Sequence, residues 1–336
     1  MAESKDRDRV MALIMSAWPT QVIHVAVGLK LADRLAAGAS SSAELAEATG
    51  SEPRALRRLL RAMAGLDLCR QTGPDRFELT PAGALLAADA EGSVRGVALH
   101  WGDRLWGALS QLDQSVATGR PWRISGAGGF EHMASDPGQM AMFHQSMTDQ
   151  TRAVAGAILE VVDFARFGRI MDVGGSYGAL LAAVLNAHPH LTGEVFDLQA
   201  LAEASAGYLE REGVADRGRF VAGSFFDSVP AGADAYLLKM IIHDWDDAEA
   251  VTILANCAAA AGADAKVLVM ERICPELAGP EDVDAFRGDM LMLTAAGGLE
   301  RTLSEYEALY ARAGLALESV TRTASSFSVM QTRTVP

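Results

Sequence analysis

The sequence is poor in cysteine and short of positive charge. Three cysteines in 336 residues, Cys69, Cys257 and Cys274, are too few and too scattered for a disulfide framework or a zinc site. They are expected to be ordinary buried thiols in a protein of the reducing cytoplasm. Lys and Arg number 29 against 43 Asp and Glu, a formal charge of −14, which makes polyanions poor partners for the molecule as a whole. The first ten residues lack the apolar run of a signal peptide, and no stretch reads as the ~20 apolar residues of a membrane span. Neither a membrane nor nucleic acid is an expected partner. What is present is ordinary globular usage, 50% hydrophobic and 21% charged residues, enough for a sizeable core in about two domains.

From Arg9 to Ala37 the pattern is helical, with Met11, Ile14, Met15 and Trp18 on one face. Pro19 is expected to interrupt and Thr20 to cap a second helix that ends near Gly38. That helix carries Val22, Ile23, Ala26, Val27, Leu29 and Leu31, an apolar surface wide enough to need cover from a second subunit. Ser41 to Glu44 is a capping-box pattern for a helix stopping at Gly50, and Ser51-Glu-Pro53 opens another that runs to Gly65. Leu66 to Thr80, with Gly73-Pro74 inside, reads as a hairpin, so the whole makes a winged-helix module. Arg54, Arg57, Arg58 and Arg61 fall on its second helix, where a DNA reader would place them. Residues 1–100 nevertheless hold 12 basic and 12 acidic side chains, while the rest holds 17 against 31. A neutral module on an acidic body lacks a DNA binder's electrostatic footprint. Residues 93 to about 165 read as mainly helical, with Trp101, Trp106 and Trp122, a loose segment from Gly119 to Gly129, and a row of Phe143, Met147, Thr151, Val154 and Ile158 that is core or ligand wall.

From Ile170 the rhythm changes. Short apolar runs, IMDVG, GEVFDL, RFVAG, AYLLKMII and KVLVME, alternate with helical segments, the signature of a parallel sheet with crossover helices. LALESV and SFSVMQT add an edge hairpin. The turn Gly174-Gly-Ser-Tyr-Gly178 matches the G-x-S-x-G elbow of a hydrolase, but the region upstream is helical, no late histidine follows and no oxyanion motif is present. Nor does the turn supply the G-x-G-x-x-G of a dinucleotide fold. Tight helix–strand packing alone would also use such glycines. With Asp172 before the turn and Asp197 ending the next strand, placed to hold ribose hydroxyls, a nucleoside with a cationic tail fits, and S-adenosylmethionine is such a ligand.

Downstream, His243 ends the strand AYLLKMII, Glu271 ends KVLVME, and Glu300 follows Gly297-Gly298 just before the Thr302-to-Glu305 capping box. Each has a plain alternative: a helix-entry histidine, a surface acid, a helix N-terminal charge. Together, at one sheet edge, they suggest a base with orienting partners.

The segments DVGGSYG (172–178), GEVFDL (193–198), FVAGSFFDSVP (220–230), LLKMIIHDWDD (237–247), VLVMER (267–272) and GGLERT (297–302) resemble the S-adenosylmethionine-dependent O-methyltransferases that include plant caffeate-type enzymes and bacterial tailoring enzymes of aromatic natural products. The likeness covers nearly the whole chain. It implies a Rossmann-like α/β class I methyltransferase domain behind an N-terminal, mostly helical winged-helix dimerisation domain. The expected divisions are 1–92 for dimerisation, 93–160 for a helical connector contributing to the substrate pocket, and 161–336 for cofactor binding and catalysis. It further implies a homodimer through the N-terminal helices, a small aromatic acceptor, a role in secondary metabolism or antibiotic biosynthesis, S-adenosyl-L-methionine as cofactor with S-adenosyl-L-homocysteine as product, and no metal.

By that resemblance Gly174, Asp197, Leu198, Ser224, Phe225 and Lys239 bind the cofactor. His243 is the general base, Glu271 and Glu300 flank it, and Phe143, Met147, Asp244 and Met292 wall the acceptor pocket. The family commonly has an acid where Ser224 stands and smaller residues where Ser176 and Tyr177 stand. The expected reaction is attack of an acceptor oxygen on the sulfonium methyl. A free phenol has a pKa near 10 and imidazole about 6.5, so His243 needs Glu271 or Glu300 to stabilise its imidazolium, or a more acidic phenol. A carboxylate or hydroxamate acceptor, and a member of the fold that binds cofactor without reacting, remain open alternatives.

Overall fold

A computed structural model describes residues 2–38, 40–122 and 137–335. The chain divides into two compact units, Met1–Gly107 with Ala141–Gln150, and Ala108–Met140 with Thr151–Pro336. The greater part of the expected loose segment from Gly119 to Gly129, residues 123–129, lies outside the described residues.

The first unit opens with helices α1 (Ala2–Met15), α2 (Trp18–Gly28), α3 (Leu31–Ala36), α4 (Ser42–Thr49) and α5 (Pro53–Gly65), then a hairpin of β1 (Cys69–Gly73) and β2 (Arg76–Leu79). The capping box at Ser41 forms in full, with both reciprocal bonds to Glu44. Pro19 does not interrupt as expected. It sits in the first turn of α2, where its missing N–H has no intrahelical partner to lose, so the helix starts at Trp18 without a cap from Thr20. The helix expected to run on to Gly38 breaks instead at Lys30, which adopts a left-handed conformation with φ 54°. Leu45, Leu56, Leu60, Met63 and Phe77 bury together as the winged-helix core. The outer face of α1 and α2 stays uncovered: Ile14 is 67% exposed and Trp18 49%. These side chains, with Met15, Val22 and Trp106, line a groove of ≈ 710 Å³. Contrary to the sequence reading, the stretch Lys5–Gly28 is long and apolar enough to cross a membrane by length and composition.

Helix α6 (Arg95–His100) packs on α2, and α7 (Pro137–Leu159) sends its 141–150 stretch into the same unit. Gly96 N–H donates to Asp149 Oδ2 at 2.7 Å, and a side chain at Gly96 would strike the α7 backbone at 2.8 Å.

The second unit is the expected α/β sheet. Strands β3 (Arg169–Val173), β4 (Thr192–Asp197), β5 (Gly218–Ala222), β6 (Ala235–Lys239) and β7 (Lys266–Glu271) are parallel. A short pair, β8 (Ile273–Cys274) and β9 (Arg301–Thr302), forms a separate two-stranded sheet, and the tail returns as an antiparallel hairpin, β10 (Leu315–Arg322) and β11 (Ser328–Thr334). The order across the large sheet is β10-β11-β7-β6-β3-β4-β5. Successive residues face opposite sides. Ile170, Leu237 and Leu268 bury on one face with helices α8 (Ala179–Ala187) and α9 (Ala202–Arg211). Met171, Leu238 and Val269 bury on the other, among α10 (Asp247–Ala261) and α12 (Leu303–Arg312), while α11 (Val283–Leu291) precedes the loop that carries Glu300. Both faces are covered, which is why the strands read as unbroken apolar runs. The order of strand addition reverses between β3 and β6, since the chain runs outward through β4 and β5 and then crosses back to β6 and β7, so a crevice opens at their carboxyl ends.

Candidate active site

The glycine turn leaves β3 at that switch point. Gly174 takes φ +70° and donates its N–H to Phe196 O at 2.8 Å, and a Cβ there would meet Ile241 Cδ1 at 2.5 Å. Gly178, at φ +88°, opens α8 with no space for a side chain against Val195. Between them Ser176 holds a left-handed φ of 55° and aims its N–H at Asp197 Oδ2, 2.8 Å away. Asp197 Oδ1 accepts from Leu198 N at 2.7 Å. The carboxylate is thus drawn from the end of β4 to the mouth of the turn, with Leu198 57% exposed beside it. Burial raises the Asp197 pKa, and the two backbone N–H bonds oppose the rise.

Ser224 and Phe225 follow β5 on a turn that Asn256 holds by donating to the carbonyls of Phe225 and Phe226 at 2.8 and 3.0 Å. The Ser224 hydroxyl accepts from Phe226 N, and Phe225 meets Trp245 edge to face at 5.9 Å. Lys239 ends β6, half-buried. Burial pushes its pKa down, countered first by Asp172. Asp172 lies under the turn, raised to about 7 by burial with Lys239 opposing, and its Oδ2 has no partner among the described residues. Tyr177 packs against the core beside α8 and α9.

His243 is carried by a short helical turn, Ile242–Asp244. Met240 enters it with φ 56°, a conformation costly for a side-chain-bearing residue. It is held because the N–H groups of Ile241 and Ile242 both donate to Glu271 Oε1 at 2.9 Å. Nδ1 of His243 lies 3.0 Å from Glu300 Oε1 and 3.5 Å from Glu271 Oε2, and Nε2 lies 3.6 Å from Asp244 Oδ1. Glu300 is presented by Gly298, where any side chain would collide with the His243 carbonyl, and by Leu299 N–H donating to that carbonyl at 2.9 Å.

Burial disfavours the imidazolium, but Glu271, Glu300 and Asp244 outweigh it and push His243 up to about 10. Burial likewise raises Glu271 to about 7 and Asp244 to about 6, with His243 opposing in both cases. Glu300 is the exception. There the adjacent imidazolium and Arg272 overcome burial and hold the carboxyl below its usual range. The donor atoms of His243, Glu271 and Glu300 lie within 4.8 Å of one another. A metal ion at that spot would have to displace the proton bonded to Glu300 and sit beside the Arg272 guanidinium. The arrangement suits a strongly basic imidazole whose proton is held by carboxylates.

Four of the expected site residues, His243, Asp244, Glu271 and Glu300, meet in one cluster, and the six expected cofactor residues lie at the strand ends from β3 to β6. Met292 begins a π-helical stretch, Met292–Ala296, in the same unit, where Thr294 O accepts from Trp122 N at 2.8 Å. Phe143 and Met147 lie half-buried in the other unit, Phe143 edge-to-face with His100 and His144. The sequence reading missed Arg301, buried to 1%, which donates to Ile242 O, Trp245 O and Asp247 Oδ1 and so closes the histidine turn. It also missed Arg272. Both stand inside quoted segments, VLVMER and GGLERT, where a charge next to an expected acid was the available signal.

The O-methyltransferase domain family matches residues 109–316, and the O-methyltransferase dimerisation domain matches residues 11–89. The chain is 35% identical over 328 residues to a phenazine O-methyltransferase, PhzM, of Lysobacter antibioticus, covering 97% of this chain and 96% of that one. It is 32% identical to aclacinomycin 10-hydroxylase RdmB of Streptomyces purpurascens, covering 94% and 86%. Among solved structures it superposes on the O-methyltransferase NcsB1 from neocarzinostatin biosynthesis, in complex with S-adenosylmethionine and 2-hydroxy-5-methyl naphthoic acid. The TM-score is 0.77 at 35% identity, covering 94% and 96%.

Proposed function

The chain belongs to the O-methyltransferase family, and we propose that it transfers the methyl group of S-adenosylmethionine to a hydroxyl of a small aromatic natural product, with His243 as the general base. The observation that carries this reading is the buried imidazole bonded to Glu300 at 3.0 Å beside the glycine turn and ribose-type carboxylate. The residues at the strand ends suit the cofactor. Gly174 leaves backbone free of a side chain, Asp197 keeps lone pairs for ribose hydroxyls, and Leu198 and Phe225 offer apolar faces to adenine. Lys239 and Ser224 complete that set. When bound, the sulfonium supplies an activated methyl group.

The chain's own task is alignment and proton removal. Alignment alone is able to supply several kcal/mol. Nδ1–H donates to Glu300, so Nε2 is the atom that faces the acceptor oxygen and takes its proton. As the oxygen–methyl bond forms, the carbon–sulfur bond breaks and S-adenosylhomocysteine leaves. With its pKa lifted to about 10, His243 matches a phenol near 10, which makes the transfer nearly thermoneutral. Met292 is a pocket wall in this reading, and Asp244 orients the acceptor. Residues 93–160 form the connector between dimerisation (1–92) and catalytic (161–336) parts.

Incubation with deuteromethyl-labelled cofactor and a panel of hydroxylated aromatic acids and polycyclic phenols tests the reaction. The expected result is one labelled methyl per acceptor with an equal yield of S-adenosylhomocysteine. Cofactor binding without transfer would favour an inactive member. The 32%-identical hydroxylase relative makes an oxygenated, unlabelled product the informative alternative outcome.

The dimerisation domain supports a homodimer, and the α1–α2 face is its proposed interface; a cytoplasmic location fits three buried free thiols. Trp18→Asp combined with Ile14→Asp is expected to convert the dimer to monomer in sedimentation analysis. An unchanged dimer would place the interface elsewhere.

A further inference from the structure

We propose that Arg272, clamped between Phe327 and Glu300, is a positioning residue that acts through Glu300 to limit how tightly the His243 ring holds its proton. The inference rests on His243 being the base.

Glu300 Oε1 accepts two bonds at once, from His243 Nδ1 at 3.0 Å and from Arg272 Nη1 at 3.2 Å. The guanidinium carbon stands 4.5 Å over the Phe327 ring, and Phe327 is itself buried. On the opposite side α11 closes in. A side chain at Gly288 would meet Glu300 Oε1 at 2.5 Å and Arg272 Cδ at 3.3 Å, and the next residue, Asp289, accepts from Glu300 N at 3.0 Å. Arg272 is only 9% exposed and its Nε finds no partner among the described residues. Burying a guanidinium with a donor unsatisfied is costly, so a fold serving only its own stability gains little from Arg at this position.

The charged groups acting directly on the ring are Glu271 at the end of β7, Glu300, and Asp244 on its own turn; behind those carboxylates stand Arg272 on Glu300, Lys239 beside Glu271 and Asp244, and the buried Tyr306 hydroxyl of α12 beside the two glutamates. Three carboxylates favour the imidazolium, and without a counterweight the ring would keep its proton into a range where no acceptor could donate one. Arg272 is a cation sharing an oxygen with the ring. Its charge lowers the proton affinity of the whole cluster, whether the proton sits on His243 or on Glu300.

The test compares Arg272→Met and Arg272→Lys with the parent enzyme. One arm follows the His243 ring by nitrogen-15 NMR, the resonance identified by its loss in His243→Gln. The other follows kcat/KM against pH. Arg272→Met is expected to move the ring's titration and the rising limb upward by about one pH unit or more. At a fixed pH below the limb it is about tenfold slower, and raising the pH by about one unit restores the rate. Arg272→Lys keeps the charge and leaves the limb in place. A limb and ring titration unmoved in Arg272→Met, or moved equally in Arg272→Lys, would overturn the inference. If His243→Gln retains the limb, the base assignment falls instead, and the ring titration in Arg272→Met still decides the role of Arg272.

Discussion

Turnover of His243→Gln is expected to fall by about 10²–10⁴-fold, with affinity for S-adenosylmethionine unchanged. Glutamine keeps an N–H for Glu300 Oε1 and a similar volume in a site that is 2% exposed, so the turn should stay folded. It has no titratable nitrogen to receive the acceptor's proton. The loss should therefore appear in kcat and in kcat/KM alike, the mark of an interaction made only as the reaction proceeds. Calorimetry with the cofactor separates this from misfolding, because the Gly174 turn and Asp197 lie on other strands. Turnover near that of the parent would remove His243 from the base role.

Asp197→Ala is expected to weaken cofactor binding by about 10–100-fold, the range set by one charge-assisted hydrogen bond of about 1.5–3 kcal/mol. The variant loses more than a ribose acceptor. Ser176 N–H and Leu198 N–H, at 2.8 and 2.7 Å, also lose theirs, and the left-handed φ of Ser176 loses the bond that holds it. Asp197→Asn retains one carbonyl oxygen and should fall between the two. At saturating cofactor the rate of both variants should recover toward that of the parent, since neither touches the His243 cluster. Unchanged affinity by calorimetry would contradict the ribose assignment.

The parallel sheet was readable because its central strands are buried on both faces and so appear as apolar runs cut by crossover helices. Helix starts were readable where a capping box fixes them, as at Ser41 and Thr302, both formed in full. Boundaries governed by backbone conformation were not. Pro19 looks like a breaker in the chain but is compatible with a first turn, and nothing in Leu29-Lys30-Leu31 announces the left-handed Lys30.

The site divides the same way. Glu271 ends a strand, Glu300 precedes a cap, and His243 follows β6, which stops at Lys239 rather than running on to the histidine as the apolar run suggested, so fold-level reasoning still brings them to one edge. Which carboxylate bonds the ring, and which one holds the backbone of the turn, depends on Met240 at φ 56° and on the buried Arg272 and Arg301. Those are contacts between residues far apart in sequence, with no spacing to betray them.

The pH dependence of kcat/KM, measured with two acceptors whose hydroxyls differ in acidity but both titrate above about pH 10, so that each still carries its proton where the ring loses its own, tests the central claim most directly. Since the competent form carries a neutral ring, and His243 is lifted to about 10 by Glu271, Glu300 and Asp244 against the opposing effect of burial, activity is lost as pH falls below that value and gained as pH rises toward it. The account predicts a single rising limb near pH 10, at the same position for both acceptors, and displaced to lower pH with a lower plateau in Glu300→Gln, where the imidazolium loses a partner. A rising limb that follows the acidity of the acceptor, or a rate independent of pH between about 6 and 9, would contradict it.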